Sequence, residues 1–149
     1  MDEIKHRFMV KGVCAIECAD RFLLIKRSVG NLGPALIFPG GKVEIGDGHR
    51  DILENTVRRE VSEEFGFHID VALHYLCSNL YMDIHGNHII DTTFYCRLGE
   101  LPPIVANVKE VPEYFWLSQD EIKASGCSGL VEWKIAKIQV LKAQLPGYF

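Results

Sequence analysis

The chain has 149 residues, 48% of them hydrophobic, and a formal net charge of −4. That is enough apolar material for one core and one domain. The mildly acidic balance, with no Lys/Arg run longer than two, excludes a surface built to wrap a nucleic acid polymer or to dock on an anionic membrane.

In chain order, the N-terminal "MDEIKHRFMVKG" is charged and lacks the apolar centre of a signal peptide, and no later apolar run reaches membrane-spanning length. "FMVKGVCAIEC" and "RFLLIKR" read as strands around an "ADR" turn. A glycine-bearing loop, "SVGNLGPA", leads into "LIFPGGKVEIGDGH", two short extended pieces broken by proline and glycines. From Asp51 to Phe65 the period changes: Leu53, Val57, Val61 and Phe65 recur every four residues, one stripe of a helix, and Gly66 stops it. "FHIDVALHYLCSNLYMDI" and "HIIDTTFYCRL" read as two long strands of a hairpin turning at "HGN". "GELPPIVANVKEVP" is a loop or broken strand, and "EYFWL" a further strand.

"SQDEI" starts a short helix, with Ser118 and Glu121 at capping-box spacing. Val131, Ile135, Ile138, Leu141 and Leu145 mark the last helix, ended by Pro146–Gly147. The order predicts a single α/β domain over residues 1–149, a mixed sheet with helices on its faces. Five cysteines (14, 18, 77, 96 and 127) without a CxxC read as free thiols, four of them in apolar stretches, in a reducing cytoplasm.

Within "RREVSEEFGF" three glutamates fall in five positions. Glu60, Glu63 and Glu64 span roughly 100° of helix arc at the border of the buried stripe, so they face one way together. A solvated acidic face would lie opposite the stripe with lysines interspersed. Arg59 stands four residues before Glu63, within reach of its carboxylate. Convergent carboxylates suit a hard divalent cation such as Mg²⁺. Periodicity alone leaves metal binding and a charged surface face equally open.

"FPGGKVEIGD" followed by "RREVSEEFGF" resembles the Nudix hydrolase signature, G-x5-E-x7-R-E-U-x-E-E-x-G-U, where U is bulky and apolar. Arg59, Glu60, Val61, Glu63, Glu64, Gly66 and Phe67 match its second half, and Gly41 with "PGGKVE" its first. "FLLIKR" before it and "EYFWLSQDEI" after it are also similar to the family, so the resemblance covers residues 10 to 122. The implied fold is an α/β/α sandwich with a mixed sheet between helices.

Two departures concern the loop. Counting forward from Gly41, the expected glutamate falls on Asp47; counting back from Arg59, it falls on Asp51. Eleven residues separate Asp47 from Arg59 where the family has seven, an insertion of four. We expect the insertion to bulge over 45–50 and the helix to start just after Asp51, whose carboxylate would cap it with Glu54 in the capping-box position. Asp47 would stay with the glycine-rich loop. Leu36 also stands where many members carry tryptophan.

The resemblance implies hydrolysis of a phosphoanhydride in a nucleoside diphosphate linked to another group: a nucleoside triphosphate, nucleotide sugar or dinucleoside polyphosphate. It implies Mg²⁺, or Mn²⁺, on Glu60, Glu63, Glu64 and the Gly40 carbonyl, with Arg59 orienting Glu63. "GG" without Cβ atoms would reach φ > 0 and bring backbone near the ion. The general base is Glu63 or Glu110. Arg27 and Lys42 are candidates for phosphate oxygens, and Tyr81 and His85 for a base, though each also reads as an ordinary strand-end or hairpin residue. The partner is a small nucleotide, with homodimerisation left open. The alternative function is a non-catalytic nucleotide sensor, against which three intact glutamates argue. An isomerase acting on an isoprenoid diphosphate would need a cysteine–glutamate pair that the sequence does not place.

Overall fold

The computed structural model describes residues 7–28 and 33–149; the middle of the loop expected over 28–35 lies outside the described residues. Strands β1 (Phe8–Cys18) and β2 (Arg21–Ser28) are joined through Ala19 and Asp20, both with positive φ. Short strands β3 (Pro34–Ile37) and β4 (Gly40–Lys42) follow, then a 3₁₀ turn (Ile45–Asp47) and helix α1 (Ile52–Phe65). Strands β5 (His74–Met82) and β6 (His88–Leu98) form the hairpin. Strand β7 (Tyr114–Ser118), α2 (Gln119–Ala124) and α3 (Gly129–Gln144) complete the chain.

The sheet is mixed. β1 runs parallel to β6 along its whole length, from Phe8↔His88 to Cys18↔Leu98. Its N-terminal half pairs antiparallel with β4 and its C-terminal end with β2. β2 also pairs with β3 and β7, and β5 lies outside β6.

Strand alternation sends side chains into two cores, which explains why these strands read as continuous apolar runs. Cys14, Ile16 and Cys18 of β1, Leu23 and Ile25 of β2, and Phe94, Cys96 and Leu98 of β6 meet the α1 stripe Val57, Val61 and Phe65. The intervening Ala15, Phe22, Leu24 and Tyr95 meet Ile122 of α2 and Val131, Ile135 and Ile138 of α3. The sheet is thus covered by α1 on one side and by α2 and α3 on the other, the expected sandwich.

Three local expectations need correction. Residues 67–73 alternate apolar and polar, with Phe67 and Ile69 buried, yet join no ladder. Arg58 explains this: its guanidinium donates to the Ile69 carbonyl and, at 3.1 Å, to that of Val71. A side chain takes the acceptors a neighbouring strand would use.

Helix α1 does start just after Asp51, but Asp51 does not cap it. Its backbone is left-handed (φ 51°, ψ 37°) and its side chain makes no cap bond. An N-cap needs extended backbone to turn its oxygen back onto the first turn, and aspartate tolerates the left-handed alternative. The first turn is tied instead by Asn55, whose amide donates to the carbonyls of Asp47 and Arg50 at 2.9 and 3.1 Å.

The third correction concerns glycine. Gly40 and Gly41 are not among the positive-φ residues, so freedom of φ is not their use here. Ser118 and Glu121 form their capping box as expected, and Gly66 ends α1 at φ 73°. All five cysteines are free thiols, four of them buried. No helix among the described residues is long and apolar enough to cross a membrane.

Candidate active site

Close approach is what the glycines provide. A Cβ on Gly12 would stand 3.0 Å from both the Leu53 carbonyl and Val57 Cγ2, so β1 admits α1 only because position 12 is bare. A Cβ on Gly40 would run into the Gly12 carbonyl and stand 2.8 Å from Val13 Cα; one on Gly41 would run into the Glu60 carboxyl. β4 is thereby pressed between β1 and the middle of α1, with Glu60 resting on Gly41.

Arg59 is the hub of this contact. Its Nε donates to Asp47 Oδ1 at 2.6 Å and its Nη2 to Asp47 Oδ2 at 3.1 Å, a two-pronged pair. Nη2 also donates to the Lys42 carbonyl at 2.9 Å, fastening β4. Nη1 donates to Glu60 at 2.9 Å and to Glu63 at 3.1 Å. Asp47 is buried and also accepts from the Thr56 hydroxyl and the Glu44 amide, each at 2.8 Å. The Arg59 hydrogen bonds, with those of the Glu44 amide and Thr56, hold its carboxyl well below the usual carboxylate range against the opposing effect of burial.

Asp47 and not Asp51 therefore meets Arg59 from the loop; Asp51 is exposed. The insertion takes the form of the 3₁₀ turn and residues 48–51, with Ile45 almost fully exposed.

The three helix glutamates stand in different surroundings. Glu64 is buried and accepts from the Gly40 amide at 3.3 Å. Burial first, then the charge of Glu60, pushes its pKa up to about 7, while Arg27 and the Gly40 amide pull the other way. Burial also raises Glu60, opposed by its bond to Arg59. The Glu63 side chain is half exposed. As arranged, Glu60 and Glu63 are drawn to Arg59 and Glu64 to Gly40. No group of three His, Cys, Asp or Glu side chains among the described residues is placed to hold an ion together. The donor set nevertheless fits a hard cation: oxygen ligands only, a bare backbone at Gly40 and Gly41, and a buried carboxyl, Glu64, that has no ion pair among the described residues.

The remaining expected residues divide between the sheet faces. Arg27 shares the α1 face with Leu23 and Ile25 by alternation, and its Nη2 donates to the Glu110 carbonyl at 2.8 Å. The charges of Arg27 and Glu110 are both felt at Glu64, which puts these residues beside the acidic set. Lys42 reaches that set through its carbonyl, but its side chain lies on the opposite face, level with Lys11. Tyr81, paired with Ile89, is also on that face and away from the glutamates.

Sequence reasoning missed Thr56 and Glu44, which clamp Asp47; the E-x-x-D spacing of Glu44 and Asp47 was the available signal. Two surface hollows, of about 580 and 630 Å³, are lined by residues such as His74 and Phe149 and by Phe67 and Pro102, none from the acidic set.

A model of the NUDIX domain matches residues 8–135. The chain belongs to the Nudix family. No curated protein matches the sequence, but solved structures do. A MutT NUDIX hydrolase from Burkholderia pseudomallei is 26% identical, with a TM-score of 0.64 over 78% of this chain and 87% of that one. A C. elegans Ap4A hydrolase, solved as a binary complex, is 16% identical with a TM-score of 0.72 over 91% and 98%. The NUDIX domain of Shewanella oneidensis NrtR, solved with ADP ribose, is 17% identical with a TM-score of 0.61 over 80% and 77%. At these last two identities the likeness is one of fold. In this Nudix chain Arg59, Glu60, Glu63 and Glu64 are the residues of the family signature, and they are the ones gathered around β4.

Proposed function

We propose that the protein hydrolyses a phosphoanhydride bond in a nucleoside diphosphate linked to another group, using Mg²⁺ or Mn²⁺. The observation that carries this reading is the Arg59 hub, which tethers Asp47, Glu60, Glu63 and the Lys42 carbonyl around a bare glycine backbone. Such hydrolysis asks the protein chiefly for positioning and charge neutralisation. Glu60, Glu63, Glu64 and the Gly40 carbonyl would hold the ion, which supplies neutralisation of the non-bridging oxygens and a more acidic bound water.

The other steps belong to the chain. Arg59 fixes the rotamers of Glu60 and Glu63, and Asp47 fixes Arg59. Arg27, beside Glu64, meets phosphate oxygens on the α1 face, and Lys42, on the opposite face, meets those that pass the end of β4. Glu63, half exposed, or Glu110, across from Glu60 and Glu64, takes the proton of the attacking water. The C. elegans and Shewanella proteins suggest dinucleoside polyphosphates and ADP ribose among the substrates to try. Five free thiols fit a cytoplasmic setting.

A second reading, a nucleotide sensor without turnover, is favoured by one observation: the glutamates are split between Arg59 and Gly40 instead of converging. Hydrolysis of a panel of nucleoside triphosphates, nucleotide sugars, ADP ribose and dinucleoside polyphosphates, with Mg²⁺ and with chelator, separates the two. Metal-dependent product release supports the enzyme; tight binding without release supports the sensor.

A further inference from the structure

The sheet face opposite the glutamates carries a polar row. Direct cross-strand partners share a face, and the registers Lys11↔Lys42, Lys11↔Asp91 and Asn79↔Asp91 put Lys42, Lys11, Asp91 and Asn79 side by side on four consecutive strands. Lys42 is exposed, Lys11 and Asn79 are half-buried, and Asp91 is buried, so the row deepens toward its centre. Lys134 of α3, itself buried, closes over it with Nζ 3.4 Å from Asp91 Oδ2. The rest of this layer is apolar but for buried Thr93 and a second couple at Glu17.

Two buried couples stand on this face, and they differ. Glu17 accepts from the Tyr95 hydroxyl at 2.5 Å and from Lys142 at 2.6 Å, a short, closed arrangement. Among the described residues Asp91 accepts only at 3.4 Å from Lys134 and 3.5 Å from Asn79, both at the limit of a hydrogen bond. An ammonium has three donors and a carboxylate about four acceptor positions. Most of that capacity is uncommitted among the described residues, in a place where charge is costly to bury.

We propose that Asp91 and Lys134, with Asn79, read the base of the substrate. This rests on taking Glu60, Glu63 and Glu64 as the hydrolytic end of the site. Lys42 joins the two ends, its carbonyl on Arg59 and its side chain at the head of the row. From Lys42 to Asn79 is three strand spacings, about 14 Å, the reach from an anhydride across a ribose to a base. Cationic side chains come first along that path, where phosphate lies. An acceptor beside a donor comes last, the complement of a nucleobase edge that presents N–H next to a bare oxygen or nitrogen. A few such polar groups in an apolar wall are how pockets set orientation and choice.

The test is kinetics on ATP, GTP, CTP and UTP with Mg²⁺ for the wild type, Asp91→Asn and Lys134→Gln, with thermal melts as the folding check. The proposal expects the ratio of kcat/KM between the best and worst base to change at least about tenfold, through KM, with kcat within about threefold. Folded variants that keep the wild-type order of bases and the wild-type KM would overturn it. Should a single variant fail to fold because its partner's charge is left buried, the paired change Asp91→Asn with Lys134→Met removes both charges and is read the same way. Should the wild type hydrolyse none of the four, calorimetric binding of adenosine, guanosine, cytidine and uridine decides independently. Discrimination that Asp91→Asn abolishes supports the proposal, and equal or absent binding contradicts it.

Discussion

Asp47 and Arg59 face each other as a two-pronged ion pair, at 2.6 and 3.1 Å, and the Asp47 side chain is only 2% exposed. Arg59 owes its direction to that pair, and Glu60 and Glu63 owe theirs to Arg59. Removing one partner of a buried pair strands the other, typically at about 3–5 kcal/mol. Arg59 keeps its other acceptors, so Asp47→Ala is expected to cost about 3 kcal/mol in chemical denaturation and to lower kcat as well. Asp51→Ala, lacking any side-chain bond to lose, should fall within about 1 kcal/mol of wild type, and a larger loss would show that Asp51 caps α1 after all.

The same pair gives the stability a pH dependence. The Asp47 pKa is lowered in the folded protein, so its contribution is full above the unfolded value of about 4 and is lost as pH falls toward the folded one. The stability difference between wild type and Asp47→Asn should be flat from about pH 5 to 7. Below about pH 4 it should shrink by about 1.4 kcal/mol per pH unit. Melts down to pH 2.5 measure this, and a difference that stays constant throughout would contradict it.

Gly41→Ala would drive a methyl group into the Glu60 carboxyl, the end of a side chain that can swing away. It should therefore cost little stability while lowering Mg²⁺ affinity by about tenfold or more. Gly40→Ala meets backbone at Gly12 and Val13, which cannot yield, and should destabilise by at least about 2 kcal/mol. Melting and Mg²⁺ titration on both variants check the contrast; equal effects of the two would count against it.

Glu110→Gln separates the two candidate bases. If Glu110 takes the proton, the acid limb of the rate–pH profile should flatten while Mg²⁺ affinity stays at the wild-type value. A profile with its acid limb intact returns the role to Glu63.

Much of this was legible because helix and strand periods differ. The α1 stripe, the Gly66 stop and the Ser118–Glu121 box were each local signals that the fold kept. What failed was decided by distant residues. Residues 67–73 alternate like a strand, but Arg58, nine or more positions away, takes the carbonyls. Asp51 has a capping neighbour at the right spacing, yet the inserted turn bends its backbone left-handed. In the site, the 59/63 spacing foretold the Arg59–Glu63 contact. Nothing local foretold which loop aspartate would meet Arg59, because that depended on how four extra residues fold. The Asp91–Lys134 couple spans 43 positions and has no sequence signature at all.

The measurement that bears most directly on the proposed activity is the initial rate of nucleotide hydrolysis with Mg²⁺ for wild type, Glu63→Gln and Glu64→Gln, each shown to be folded by its melt. The arrangement around Arg59 and Gly40 predicts that the wild type releases product from at least one nucleotide only when Mg²⁺ or Mn²⁺ is present, and that each variant loses at least about 10²-fold in kcat. A wild-type rate indifferent to chelator, or a variant close to the wild-type rate, would contradict it.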